Sequence, residues 1–180
     1  MYAAASTKVR PLLTTVPTLI EKLEPHHADN FGWALACCDW HRAQASDVLQ
    51  EAYLRVIDGR ARFSGRASER TWFFGVIRRV ALESQRRERR WWWPDIDRLP
   101  EEAGPDLTSE AAVTDAQARR LRGALLALSR RQREVLHLVF YGGLTLEEAA
   151  STLAISIGSA RTHYHRGKDR LATLLEDDGT

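Results

Sequence analysis

Apolar side chains recur at helical spacing along most of this chain. In residues 45–58, ASDVLQEAYLRVID, they fall at 48, 49, 52, 53, 56 and 57, a stripe down one side of a helix. Residues 70–90, RTWFFGVIRRVALESQRRERR, keep the period and then become wholly polar after Leu82. That helix is expected to project beyond its core. Further on, Ser129 stands three residues before Gln132 at the head of RRQREVLHLVFY, and Thr145 stands three before Glu148 at the head of LEEAASTLA. Each pair is a capping box, in which side chains satisfy the free backbone amides of a helix start. Gly142-Gly143 marks a stop between them. A tight connection around Ala154–Ser156 follows, with Ser156 placed to cap IGSARTHYHRGKDRLATLL. No alternating strand run occurs. The predicted fold is all-α: two small helical domains joined by an acidic flexible linker, the second a helix-turn-helix.

Polarity sets the boundaries. Residues 94–117, PDIDRLPEEAGPDLTSEAAVTDAQ, hold seven acids, one Arg, three prolines and few large apolar side chains, the composition of a flexible linker. The expected division is an N-terminal extension over 1–24, a first domain over 25–93, the linker over 94–117, the helix-turn-helix domain over 118–176 and a tail over 177–180. The extension is a loose arm or a short added helix packed on the core.

Charge then narrows the function. The formal net charge is only +2, yet the basic side is 23 Arg to 3 Lys. Arg forks onto phosphate and stacks on flat rings. The densest basic run, SQRRERRWWWPD at 84–95, carries half of the six tryptophans directly behind it. These indoles either stack on bases or pack between domains. The two cysteines, Cys37 and Cys38, are adjacent, so they form no disulfide framework, and a reducing cytoplasm is expected. The same two with His26, His27 and His41 lack metal-site spacing; neighbours on a helix point about 100° apart. No metal, cofactor or catalytic residue is assigned, because no phosphate loop, nucleophile elbow or HExxH motif occurs. Residues 1–24 make a poor signal peptide, and no 18-residue apolar run is present, so no membrane insertion is expected.

The short helix, tight turn and longer helix after Thr145 carry small residues, Ala149 and Ala150, where the two helices must approach. On the longer helix Ile157, Ala160, Tyr164 and Leu171 share the inward face. Ser159, Arg161, Thr162, His165 and Arg166 lie on or beside the opposite face, with Ser156 at its start. A major-groove reader needs such a surface: Arg for guanine edges and phosphate, small hydroxyls for close approach. Ala154 stands where many such turns carry Gly, so the turn must accommodate a Cβ.

These residues resemble a known family. LSRRQREVLHLVFYGGLTLEEAASTLAISIGSARTHYHRGKDRLATLL is similar to region 4 of a bacterial sigma factor and, less closely, to the DNA-binding domain of LuxR-type regulators. DVLQEAYLRV followed by FSGRASERTWFFGVIRRVALESQRRERR resembles region 2 of an extracytoplasmic-function (ECF) sigma factor. The resemblance covers about residues 28–176. It implies a non-enzymatic subunit whose partners are core RNA polymerase and promoter DNA, duplex at the −35 element and melted at the −10 element. Many members of that family are held inactive by an anti-sigma factor.

Carried onto this sequence, the resemblance implies polymerase contact by Asp47, Gln50, Glu51, Leu54 and Arg55, which lie opposite the apolar stripe of the 45–58 helix. For the −10 element it implies Phe63, Ser64, Arg66 and Ser68 in the loop FSGRASER, then Trp72, Arg78, Arg79, Arg86 and Arg87 along the helix that follows. For the −35 element it implies Ser156, Ser159, Arg161, Thr162, His165 and Arg166. Of Trp72, Phe73 and Phe74 at least one must be accessible, and Trp72 and Phe74 read as core. Two departures stand out. The family's Asp-Ala-Glu-Asp cluster is here Gln44-Ala45-Ser46-Asp47, and Arg79 replaces a frequent Asn while Gly75 replaces a frequent Arg. Two other readings fit the helix-turn-helix: a stand-alone LuxR-type regulator, and an interaction protein that has lost polymerase binding.

Overall fold

The computed structural model describes residues 15–91 and 109–177. Among them the chain is helical and short turns connect the helices. The first unit holds α1 (Thr15–Leu23), a 3-10 turn (Glu24–His26), α2 (His27–Cys37), α3 (Arg42–Ile57) and α4 (Glu69–Trp91). The second holds α5 (Ser109–Leu126), α6 (Arg130–Phe140), α7 (Leu146–Leu153) and α8 (Ile157–Asp177).

Apolar burial organises the first unit around Trp33, Phe73, Phe74 and Ile77, all without solvent contact. The Trp33 indole N–H donates to the Phe74 carbonyl at 2.9 Å, so the largest buried ring ties α2 to α4 with its polar atom satisfied. Buried Asn30 donates from Nδ2 to the Leu23 carbonyl at 3.3 Å and to the Tyr53 hydroxyl at 3.1 Å, joining α1, α2 and α3. Leu19 and Leu23 make α1 part of this core. The 1–24 segment therefore contributes a packed helix, while residues 1–14 lie outside the described residues. The α3 stripe buries Val48, Leu49, Ala52 and Val56, but Ile57 is 56% exposed, contrary to its expected place in the core. It sits at the last turn of α3, where the chain leaves the bundle.

Local signals set the second unit. Ser129 and Gln132 form the reciprocal capping box of α6, and Thr145 and Glu148 that of α7. After α6 the Gly142 amide donates to the His137 carbonyl at 2.9 Å and the Leu144 amide to the Leu138 carbonyl at 3.0 Å. A Cβ on Gly142 would lie 2.5 Å from the Leu138 carbonyl oxygen, so no side chain fits there. Gly167 has a matching role on α8: a Cβ would meet Gln132 Cβ at 3.0 Å and Leu136 Cδ1 at 3.1 Å, so its absence lets α6 and α8 close together. The α7–α8 turn passes through Ala154 in the left-handed region, φ 52 and ψ 50. The stretch 109–117, expected as linker, is helix here; α5 starts at Ser109, in SEAAVTDAQ, whose three alanines suit a helix as well as a linker. Residues 92–108 lie outside the described residues, and so do Trp92 and Trp93.

The two units share one core. Val135, Leu138, Leu144, Ala149 and Leu153 belong to the same buried cluster as Trp33, Phe74 and Ile77. Helix α7 packs on α4 and α6 on α2.

Backbone strain yields the first prediction. Left-handed backbone costs a non-glycine residue roughly 1–2 kcal/mol, offset in part by the greater freedom of unfolded Gly. Ala154→Gly should therefore raise unfolding stability by about 0.5–1.5 kcal/mol, and Gly142→Ala should lower it by at least ~1 kcal/mol. Urea unfolding of the two variants checks both signs; a destabilised Ala154→Gly would contradict the turn geometry.

Candidate nucleic-acid and partner interfaces

Three surfaces gather the residues expected to act. On α3, Asp47, Gln50 and Leu54 are exposed, with Leu54 at 45%. Gln50 and Leu54 border a groove of about 640 Å³ between α2 and α3. Its other walls are His27, Phe31, Arg42, Ser46, Leu49, Tyr53 and Ile57. Exposed Leu54 and Ile57 thus stand together at an apolar concavity, a form typical of a partner contact. Periodicity places Tyr53 and Ile57 in the core; Tyr53 does pack against it, on Phe73, while also lining the groove, and Ile57 is exposed. The stripe wraps too far round the helix to be buried on one side, so its edge lines the groove.

Glu51 and Arg55 face a different way. Arg55 Nε donates to Glu51 at 2.8 Å and its Nη2 lies 2.7 Å from Glu83 of α4, while Arg60 reaches Glu51 at 2.9 Å and Asp58 at 2.6 Å. The hydrogen bond from Arg55 holds the Glu51 carboxyl below its usual range. This network braces α3 against α4, so of the five residues expected as one contact surface Gln50 and Leu54 edge the groove, Glu51 and Arg55 form a brace, and Asp47 is exposed outside both.

The second surface is the 63–68 loop and α4. Ser64, Arg66 and Ser68 are exposed, and Phe63 is half-buried with its ring 5.4 Å from Trp72 in an edge-on contact. Phe73 and Phe74 are fully buried, and Trp72 is the accessible member of the three. Trp72, expected in the core, is half-buried: it packs on the edge of the core and against Phe63 of the loop. Ser68 Oγ accepts from the Thr71 amide at 3.1 Å, so it caps α4. Arg79, Arg86 and Arg87 are exposed, whereas Arg78 is buried at 8%. Its guanidinium meets Glu134 of α6, Nε to Oε1 at 3.3 Å and Nη2 to Oε2 at 3.4 Å. Arg78, which the resemblance implies at the −10 element, is in this arrangement an interdomain ion-pair partner. The side chains of Arg89, Arg90 and Trp91 lie outside what is described.

The third surface is α8. Ser156, Ser159, Arg161, Thr162, His165 and Arg166 are all exposed, and Ala160 and Gly167 are buried on the opposite side. Ser156 Oγ accepts from the Ser159 amide at 3.1 Å, capping the helix. Thr162 donates its hydroxyl to the Gly158 carbonyl at 3.0 Å. Arg161 lies 3.6 Å from Glu147 of α7, a surface pair that water readily exchanges. Lys168 and Arg170 are exposed further along α8 and add positive charge that the motif reading did not single out.

Between the units His137 lies against Trp33 in a tilted ring contact, and within its own unit it stacks on Tyr141, with ring centroids 5.3 Å apart in both cases. Burial holds the His137 pKa down at about 4, with Asp29 opposing weakly. Burial also raises the thiols: Cys37 well above its usual value and Cys38 to about 12. Neither is a ready nucleophile. Among the described residues no group of His, Cys, Asp and Glu is disposed to hold a metal, and no helix is long and apolar enough to cross a membrane.

Residues 26–91 match the family described as sigma-70 region 2, and residues 118–171 match sigma-70 region 4. The ECF RNA polymerase sigma factor SigX of Bacillus subtilis is 33% identical over 141 residues, covering 74% of this chain and 71% of that protein. Two solved structures share the fold. A sigma factor RpoE from Bartonella quintana, crystallised with the anti-sigma factor NepR, has a TM-score of 0.62 at 21% identity, covering 92% of this chain and 94% of that one. CnrH, in complex with the cytosolic domain of CnrY, has a TM-score of 0.63 at 18% identity, covering 93% and 97%.

His137 supplies a signed prediction. Its folded pKa lies below the unfolded value near 6.5, so the stability linked to its neutral form is complete above pH 6.5 and is lost as pH falls toward 4. That loss amounts to about 3 kcal/mol. Urea unfolding at pH 7, 5.5 and 4 should follow this course in the wild type and flatten in His137→Gln. An equal slope in both would exclude His137 as the source.

Proposed function

The chain belongs to the extracytoplasmic-function sigma factors of the sigma-70 family, and from that membership we propose that it binds core RNA polymerase through α3, engages the −10 element with the 63–68 loop and α4, and reads the −35 element with α8. Members of this family are not enzymes; they give promoter specificity to the polymerase. Core polymerase and promoter DNA are accordingly its partners, and an anti-sigma factor is a candidate third.

The order of parts carries the reading: a region 2 match at 26–91, then a region 4 match at 118–171 whose outward helix face is exposed. The chemistry is consistent at each surface. Groove-edge Leu54 and Ile57 offer apolar area to a partner. Trp72 edge-on to Phe63, beside exposed Ser64 and Arg66, suits stacking and hydrogen bonding to an extruded base. Arg161 and Arg166 suit guanine edges and phosphate in a major groove. The altered Gln44-Ala45-Ser46-Asp47 cluster does not close the groove, since Ser46 only borders it.

Run-off transcription with purified core polymerase and a genomic promoter library tests the whole reading. Promoter-specific transcripts that require both proteins are expected. Polymerase-independent footprints with no transcript would instead indicate a stand-alone regulator. Within that assay, Leu54→Ala should weaken core polymerase binding about 5- to 30-fold, corresponding to ~1–2 kcal/mol, with thermal unfolding unchanged. Equal affinity of the variant and wild type would remove the groove from the interface. Glu51→Ala makes a poorer probe because Glu51 also braces α3 through Arg55 and Arg60.

A further inference from the structure

One side of α6 has no part in the contacts proposed above. Arg130, Glu134 and His137 succeed one another at steps of four and three residues with Arg133 beside them, so they share a face, and that face is turned to the first unit. Glu134 at its centre has no solvent exposure. Arg78 reaches it from α4, while Arg130 and Arg131 on its own helix reach it at 3.0 and 3.1 Å. Arg130 also donates to Gln85 of α4 at 2.7 Å. Arg133 pairs with Asp39 and lies 5.8 Å over the Trp40 ring. Asp39 and Trp40 both have left-handed backbone, φ 51 and 63, so a strained turn of the first unit is held in place by a side chain of the second.

We infer that this α6 face is an intramolecular latch: it holds the helix-turn-helix unit on the first unit in a self-masked form, in which Glu134 withholds Arg78 from promoter DNA. The inference rests on the promoter role proposed for the α4 arginines. A guanidinium fork engaged by one carboxylate cannot also grip a phosphate, so docking through Arg78 and phosphate contact through Arg78 exclude each other. The latch is also built to release. When the units part, Glu134 keeps Arg130 and Arg131, which are three and four residues away on its own helix. Glu134 is thus not left bare when Arg78 is freed, and Asp39, which loses Arg133 in the same step, is already half exposed to water. A phosphate then offers Arg78 the same kind of charge-assisted pairing that Glu134 did.

Small-angle X-ray scattering of the full chain tests this, with circular dichroism as a check on folding. Glu134→Gln leaves three guanidiniums around a neutral amide, and Arg78→Gln removes the partner on the other unit. Both should increase the radius of gyration at unchanged helix content, while Arg62→Gln, on an exposed loop, should leave it as in wild type. In the same proteins, Cys37 and Cys38, now buried beside the junction, should react with a thiol reagent roughly tenfold faster or more, a factor equal to 1.4 kcal/mol of docking. Identical scattering and thiol rates in wild type, Glu134→Gln and Arg78→Gln would overturn the latch, as would a wild type that is already extended. Binding to core polymerase is measured separately. Its absence in every form would remove the polymerase reading, and the scattering would still decide the latch.

Discussion

A carboxylate with no solvent contact sets the terms on which the two halves of this chain meet. Enclosing an unpaired charge costs several kcal/mol even after the protein relaxes. Glu134 is enclosed only because three guanidiniums surround it, and one of them, Arg78, belongs to the other unit. The apolar contacts follow from that match. With Arg78 and Glu134 joined, α7 lies along α4, and Leu138, Leu144 and Leu153 can complete the core begun by Trp33, Phe74 and Ile77. Without the match the same apolar surfaces would be brought together over an uncompensated charge. Area alone does not account for the arrangement; the ion cluster decides which apolar faces are allowed to meet.

What could be read from the sequence was local. The capping boxes at Ser129 and Thr145, the glycine stop at 142 and the outward face of α8 depend on residues within one or two turns of each other, and all are where their spacing put them. What could not be read depended on distant chain. Ile57 and Trp72 have the polarity of core residues, but their exposure is decided by where α3 ends and by which way the 63–68 loop folds back. The α5 start was hidden for another reason: acidic, alanine-rich sequence suits both a solvated linker and a helix, and contact between α5 and α8 selects the helix.

Arginine is the residue on which sequence reading is weakest here. Arg78, Arg79, Arg86 and Arg87 lie in one basic helix and were indistinguishable by type. Their environments differ completely: Arg78 is enclosed against a carboxylate, and the others face solvent. The fork that binds phosphate is the fork that binds carboxylate, with the same geometry and charge. Composition therefore predicts that anions will be bound and leaves open whether they are nucleic acid or the protein's own acids. Only the position of Glu134, 56 residues further along the chain, separates the two.

That ambiguity is also what makes the docked form functionally specific. The groove beside Leu54 and the outward face of α8 both stay open in it. Docking removes neither of these surfaces; it encloses Arg78 and leaves Arg79, Arg86 and Arg87 outside. A partner that contacted the groove or α8 alone would thus have no reason to separate the units. Separation is favoured by a ligand that gains something only in the open form, and on α4 that gain is an anion for Arg78. The demand falls on the helix proposed to meet the melted element, so the geometry couples release of the latch to that one contact.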